Sequence, residues 1–70
     1  MVINKLTLKQ ARVLANLTQD QASEKLGISR GTLIAWEKGY RTPNSKMIPL
    51  ITETYGIPYD MIMFLEKEDD

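Results

Sequence analysis

Cysteine and histidine are both missing from the 70 residues of this chain. The first absence excludes a disulfide framework, and the two together remove the usual ligands of a structural zinc site, so neither a covalent nor a metal staple can hold the fold. No metal ligand set, no cofactor and no catalytic residue is expected. The groups that most often do acid–base and nucleophilic work are gone, and Asp20 and Glu24, spaced i, i+4, are read as solvated charges on a helix face. Long apolar runs are missing too: none approaches the roughly 20 residues that cross a bilayer. The opening MVINKLTLKQ lacks the uninterrupted apolar centre of a signal peptide. A cytoplasmic protein with no membrane partner and no small-molecule ligand is therefore expected. A chain this short makes one domain and buries only about 60% of the surface its unfolded form exposes. That domain is expected to span residues 1–70, with a folded core over about 5–65 and an acidic tail over 66–70.

What is present is unevenly placed. Net charge is zero, nine basic residues against nine acidic. Yet residues 1–46 hold eight Lys/Arg and three acids, a net of +5, and residues 47–70 hold Lys67 and six acids, a net of −5. The basic half is where a polyanion would bind.

Start and stop signals divide the chain into five short helices, without strands or repeats. Thr7 with Gln10, and again Thr18 with Gln21, fit the capping box, in which a threonine hydroxyl and a glutamine side chain satisfy each other's backbone amides. The first helix is expected over residues 8–15. Leu8, Ala11 and Ala15 share one face, and Asn16 follows as a left-handed closing residue. The second helix runs over residues 19–26 and ends at Gly27. Ser29 caps a third that ends near Lys38, with Gly39 just beyond it. Pro49 falls inside the apolar run MIPLITETY, so a fourth helix starts late, with Pro49 in its first turn, and closes at Gly56. After Pro58 a fifth is expected from Tyr59 to about Leu65.

The second helix, the short break at Gly27 and the third helix have the sequence form of a helix-turn-helix, whose second helix lies in the DNA major groove. Ala22, Leu26, Ile28, Leu33 and Trp36 are the apolar positions two crossed helices would turn inward, and Ser23 is small enough to let their backbones approach. Trp36 continues the Leu33 face and is read as core rather than as a stacking platform. Here LTQDQASEKLGISRGTLIAWEKG resembles the signature of the Cro and phage-repressor-like family, also called the xenobiotic-response-element family. The resemblance covers residues 8–65 and is most specific from Gln19 to Gly39. It implies a compact all-α, five-helix, lambda-repressor-like DNA-binding domain.

Site residues follow from that resemblance. It implies that Gln19 clamps a phosphate with the amides around it, Thr18 and Ser29 adding backbone contacts at the two helix starts. Arg30, Gly31, Thr32 and Ala35 match positions that face base edges. Lys38, Tyr40, Arg41 and Asn44 match the segment that follows the backbone of the neighbouring strand, and Arg12 with Glu37 matches a structural ion pair. The chemistry is consistent: a helix N-terminus attracts phosphate, and an arginine can donate two hydrogen bonds to guanine O6 and N7. Glycine in a first turn costs roughly 0.5–1 kcal/mol relative to alanine, which close approach to the groove floor would offset. The plainer reading of Arg30 and Gly31 is a solvated charge beside a tolerated surface glycine. Ile34 either reads a thymine methyl or covers the fourth helix, and Lys46 either touches phosphate or is solvated.

MIMFL, residues 61–65, has more apolar surface than one face of a helix can bury. Met61, Phe64 and Leu65 are accordingly expected at a dimer interface, mirrored by a palindromic operator. Ser45, Pro49 and Pro58 depart from the family pattern, which bears on the fourth and fifth helices. The function this implies is sequence-specific binding of double-stranded DNA by a homodimeric, phage-related transcriptional regulator acting as a repressor. A second reading is an antitoxin-like or accessory protein that binds a protein partner through the C-terminal helix. A third, an adaptor without DNA, is permitted by the neutral total and opposed by Gln19, Arg30 and the basic half.

Overall fold

A computed structural model of the chain describes residues 5–64. Its elements in order are β1 (Leu6–Thr7), α1 (Leu8–Leu14), α2 (Gln19–Leu26), α3 (Arg30–Lys38), α4 (Met47–Tyr55), a single 3₁₀ turn (Tyr59–Met61) and β2 (Ile62–Met63).

The first three helices begin and end where side-chain chemistry tells them to. Both capping boxes form: Thr7 Oγ1 accepts from the Gln10 amide at 3.1 Å while Gln10 Oε1 accepts from the Thr7 amide at 2.9 Å, and Thr18 and Gln21 repeat those distances. Asn16 has φ 63° after α1, and Gly27, with φ 71°, makes the sharp turn into α3. That turn is what sets α3 across α2. Leu8, Ala11, Ala22, Leu26, Leu33, Trp36, Ile51, Tyr55 and Ile62 make one core, with Ala15 and Ile28 packed against it. Ser23 is also buried, its hydroxyl donating to the Asp20 carbonyl at 3.0 Å, so the close α2–α3 crossing leaves no orphan hydroxyl there.

α4 starts at Met47, with Pro49 in its first turn, where the missing proline amide costs no hydrogen bond. Its start is satisfied from upstream: Asn44 Oδ1 accepts from the amides of both Lys46 and Met47 at 3.1 Å.

The fifth helix expected over residues 59–65 does not form, and the all-helical, strandless expectation is corrected with it. Tyr59–Met61 closes one 3₁₀ turn, the Met61 amide donating to the Pro58 carbonyl at 3.0 Å, and Ile62 is already extended at φ −107°, ψ 128°. β2 then pairs in parallel with β1, Leu6 opposite Ile62 and Thr7 opposite Met63. The reason lies in the run MIMFL itself. On a helix it would leave apolar side chains all round, whereas a strand alternates faces: Ile62 is buried at 3% exposure and Met63 stands out at 43%. Of the three residues assigned to that helix's outer face, Met61 and Phe64 are half-buried and Leu65 lies outside the described residues. The acidic tail expected over 66–70 lies outside them as well. Among the described residues no helix is long and apolar enough to cross a membrane.

Candidate nucleic-acid interface

Ser29 builds the first turn of α3. Its hydroxyl accepts from the Thr32 amide at 3.1 Å and shares a 2.8 Å hydrogen bond with the Thr32 hydroxyl. With that hydroxyl engaged, the methyl is the free end of Thr32. Arg30 and Gly31 beside it are exposed, and Ala35, one turn on, is half-buried. A Cβ added to Gly31 would meet only Ser29 Oγ, at 4.0 Å. Nothing among the described residues therefore requires glycine at this position.

Beneath this turn lies a buried ion pair. Arg12 Nε donates to Glu37 Oε2 at 2.7 Å, and each residue is 7% exposed. Arg12 Nη1 also donates to the Leu17 carbonyl at 2.8 Å. One guanidinium thus ties α1, the α1–α2 connection and α3 together. Glu37 Oε1 accepts in addition from Gln19 Nε2 at 3.1 Å, so the pair reaches the start of α2 and orients the Gln19 side chain. Tyr55 of α4 packs below, its hydroxyl buried and without a hydrogen-bond partner among the described residues. Burial pushes that hydroxyl from 10.0 up to about 12, the Glu37 charge adding to the rise and Arg12 opposing it.

Gln19 and Arg30 also meet, Arg30 Nη2 donating to Gln19 Oε1 at 3.5 Å. The starts of α2 and α3 therefore form one patch, with Thr18 and Gln19 on one side and Ser29, Arg30, Gly31 and Thr32 on the other. An open hollow of about 430 Å³ lies there, lined by Lys9, Arg12, Thr18, Gln19, Asp20 and Arg30. Lys9 is an addition that the sequence reading passed over, and Asp20 was read there only as a solvated helix-face charge. The signal for Lys9 was its i, i+3 spacing from Arg12, which puts the two on neighbouring parts of α1. Lys38 is eight residues after Arg30, about 12 Å farther along α3. It is followed by Tyr40 and Arg41, whose amides both donate to the Ala35 carbonyl, at 2.9 and 3.4 Å. Lys38, Tyr40 and Arg41 are exposed, as is Asn44. Asn44 spends its side-chain oxygen on α4, so only its amide nitrogen is left for a ligand. Ile34 is half-buried and Lys46 exposed.

Chemically, this surface offers cationic side chains and the free amides of two helix starts, a combination suited to phosphate and to base edges. Among the described residues no group of three or more Asp/Glu side chains is arranged to hold a metal ion.

Comparison with known proteins gives the same frame. A family model described as helix-turn-helix matches residues 8–62. The chain is 40% identical over 62 residues to an uncharacterized HTH-type transcriptional regulator of Methanocaldococcus jannaschii, covering 89% of this chain and 94% of that protein. It is 34% identical over 60 residues to the HTH-type transcriptional activator BcrR of Enterococcus faecalis, 86% of this chain and 29% of that one. With the cryptic phage CTXphi transcriptional repressor RstR of Vibrio cholerae it shares 28% identity over 51 residues, 73% of this chain and 46% of the relative. It thus spans nearly all of the first and less than half of the other two. No solved structure matches the chain. Helices at Gln19–Leu26 and Arg30–Lys38, joined through Gly27 and lying inside the matched residues, place this chain in the Cro/C1-type helix-turn-helix family.

Proposed function

We propose that the chain binds double-stranded DNA by laying α3 in the major groove. The observation that carries this reading is the exposed first turn of α3, where Gly31 sits without any neighbour among the described residues to require it. A missing Cβ is useful there only to something that approaches from outside. Arg30 then donates to guanine O6 and N7, and Thr32 and Ala35 offer methyl groups to thymine. Thr18, Gln19 and Ser29 hold phosphates at one end of α3, and Lys38, Tyr40, Arg41 and Asn44 follow the backbone at the other. The Arg12–Glu37 pair keeps the two helix starts in register.

The protein acts as a homodimer on a palindromic operator and represses by occupying a promoter. Support for the dimer comes from the C-terminal segment, although in a different form from a helix face. Tyr59 and Met63 are exposed there, the Phe64 ring lies tilted with its centroid 5.9 Å from that of Tyr59, and Met61 and Phe64 are half-buried. One relative is named a repressor, another an activator, so the sign of regulation rests on the simplest action open to a DNA-binding domain, occlusion.

The test is selection of bound fragments from a random duplex pool, wild type beside Arg30→Ala, at two salt concentrations, with sedimentation across a concentration series. Enrichment of a palindrome with guanine at one place, lost in Arg30→Ala, is expected. Salt-sensitive binding without enrichment would reduce the function to a phosphate contact, and a monomer at every concentration would remove the dimer.

A further inference from the structure

In the free protomer Arg30 does not reach outward. Its guanidinium is turned back over the start of α2, where Nη2 donates to Gln19 Oε1 at 3.5 Å and Nε lies 3.6 Å from Asp20 Oδ1. Both partners sit in the first turn of α2, a place that favours the Asp20 carboxylate because the positive end of the helix dipole is there. Gln19 has little freedom to move away. Glu37 can only accept hydrogen bonds, so it takes the amide nitrogen of Gln19 and leaves the amide oxygen for Arg30. Glu37 is in turn held by the buried Arg12. A continuous polar chain, Arg12 to Glu37 to Gln19 to Arg30 to Asp20, thus runs from the buried pair to an exposed guanidinium.

We propose that Asp20, working with Gln19, clasps Arg30 over the N-terminus of α2 and so acts as a positioning residue that restrains the reading of guanine. This rests on the DNA-binding reading above and adds a term to it. A guanine edge takes two guanidinium donors and requires the clasp to open, whereas a duplex lacking guanine at that place is bound with the clasp shut. Removing the carboxylate relieves the opening cost for the guanine-bearing duplex only. The lost negative charge also helps every duplex by a common factor, and the difference between two duplexes cancels that factor. The pair is exposed, Arg30 at 59% and Asp20 at 79% by side chain, so the differential effect is small, about two- to fivefold.

The experiment uses wild type, Asp20→Asn, Arg30→Ala and the double variant. Each is titrated with the duplex that wild type enriches from a random pool and with a random-sequence duplex of equal length, at about 50 mM salt. Asp20→Asn is expected to tighten the enriched duplex about two- to fivefold more than the random one, and the extra gain should vanish in the Arg30→Ala background. Equal gains on both duplexes, or an extra gain that survives Arg30→Ala, overturn the clasp and leave DNA binding standing. Binding by none of the four proteins, or wild-type binding without any enriched sequence, overturns the clasp together with the base reading it depends on. A readout without DNA is the exchange of the Arg30 Nε–H with water in isotope-labelled protein, expected to quicken in Asp20→Asn; an unchanged rate refutes the clasp by itself.

Discussion

The two ends of the core are held by different means. Around α2 and α3, hydroxyl caps set where helices begin, left-handed glycines set where they end, and a buried ion pair locks the crossing. Beyond Gly56, which closes α4 in the left-handed conformation at φ 69°, none of these devices is present among the described residues. Pro58 starts a single turn without a side-chain cap, and the chain is then placed by pairing β2 with β1 and by burying Ile62. The proposed reading face stands on local signals plus one polar anchor, whereas the C-terminal segment depends on a partner strand more than 50 residues away in sequence. Local signals specify geometry residue by residue, which suits a surface proposed to match DNA. Long-range pairing only requires that alternate side chains be apolar.

Breaking the anchor is expected to have the largest effect. Glu37→Ala leaves the Arg12 guanidinium buried without its carboxylate and should cost about 3–5 kcal/mol in urea unfolding, enough to threaten a domain this small. Replacing Arg12 and Glu37 together by methionine should recover much of that loss. A double replacement as damaging as the single one would show that the pair contributes more than mutual compensation. At the other end, Ile62→Ala should cost about 2–4 kcal/mol and Met63→Ala under about 0.5 kcal/mol, because only the first is buried. Similar costs for the two would return the segment to a helix-like exposure.

Tyr55 joins the regions, since it packs from α4 beneath the ion pair. Burial pushes its hydroxyl from 10.0 up to about 12 in the folded chain. A raised value means that its contribution is complete below about pH 10 and is lost as pH climbs toward 12, on the order of 2–3 kcal/mol. Urea midpoints at pH 9 and pH 11 (about two pH units spanning the start of that window) should therefore fall more steeply for wild type than for Tyr55→Phe. Smaller still are the caps. Thr18→Ala and Asn44→Ala should each cost about 1 kcal/mol. If only Thr18 matters, α4 does not need the upstream cap and the contrast between the regions sharpens.

The same contrast explains what could be read in advance. Thr7, Thr18, Ser29, Gly27 and Gly39 announce helix ends through chemistry that acts within three or four residues, so α2 and the start and end of α3 were legible from one sequence. The placement of Gly31 in the first turn of α3 was legible as well, and a glycine there is unfavourable enough to call for a reason. MIMFL was not. A short, wholly apolar run carries no period that separates strand from helix, and what decides it is Leu6–Thr7 at the far end of the chain. Asn44 was read only for a phosphate contact; that its side-chain oxygen also caps α4 was not legible, since a side chain capping a helix three residues downstream looks like any loop asparagine. The turning of Arg30 toward Asp20 depends on the α2–α3 crossing and cannot be seen in spacing alone.

The central claim is that the first turn of α3 is shaped for something outside the protomer, and Gly31→Ala tests it most directly. Thermal unfolding and titration of the enriched duplex are measured on the same sample. A gain of about 0.5–1 kcal/mol in stability with weakened or altered DNA binding is the expected result; the same gain with unchanged binding would contradict the claim.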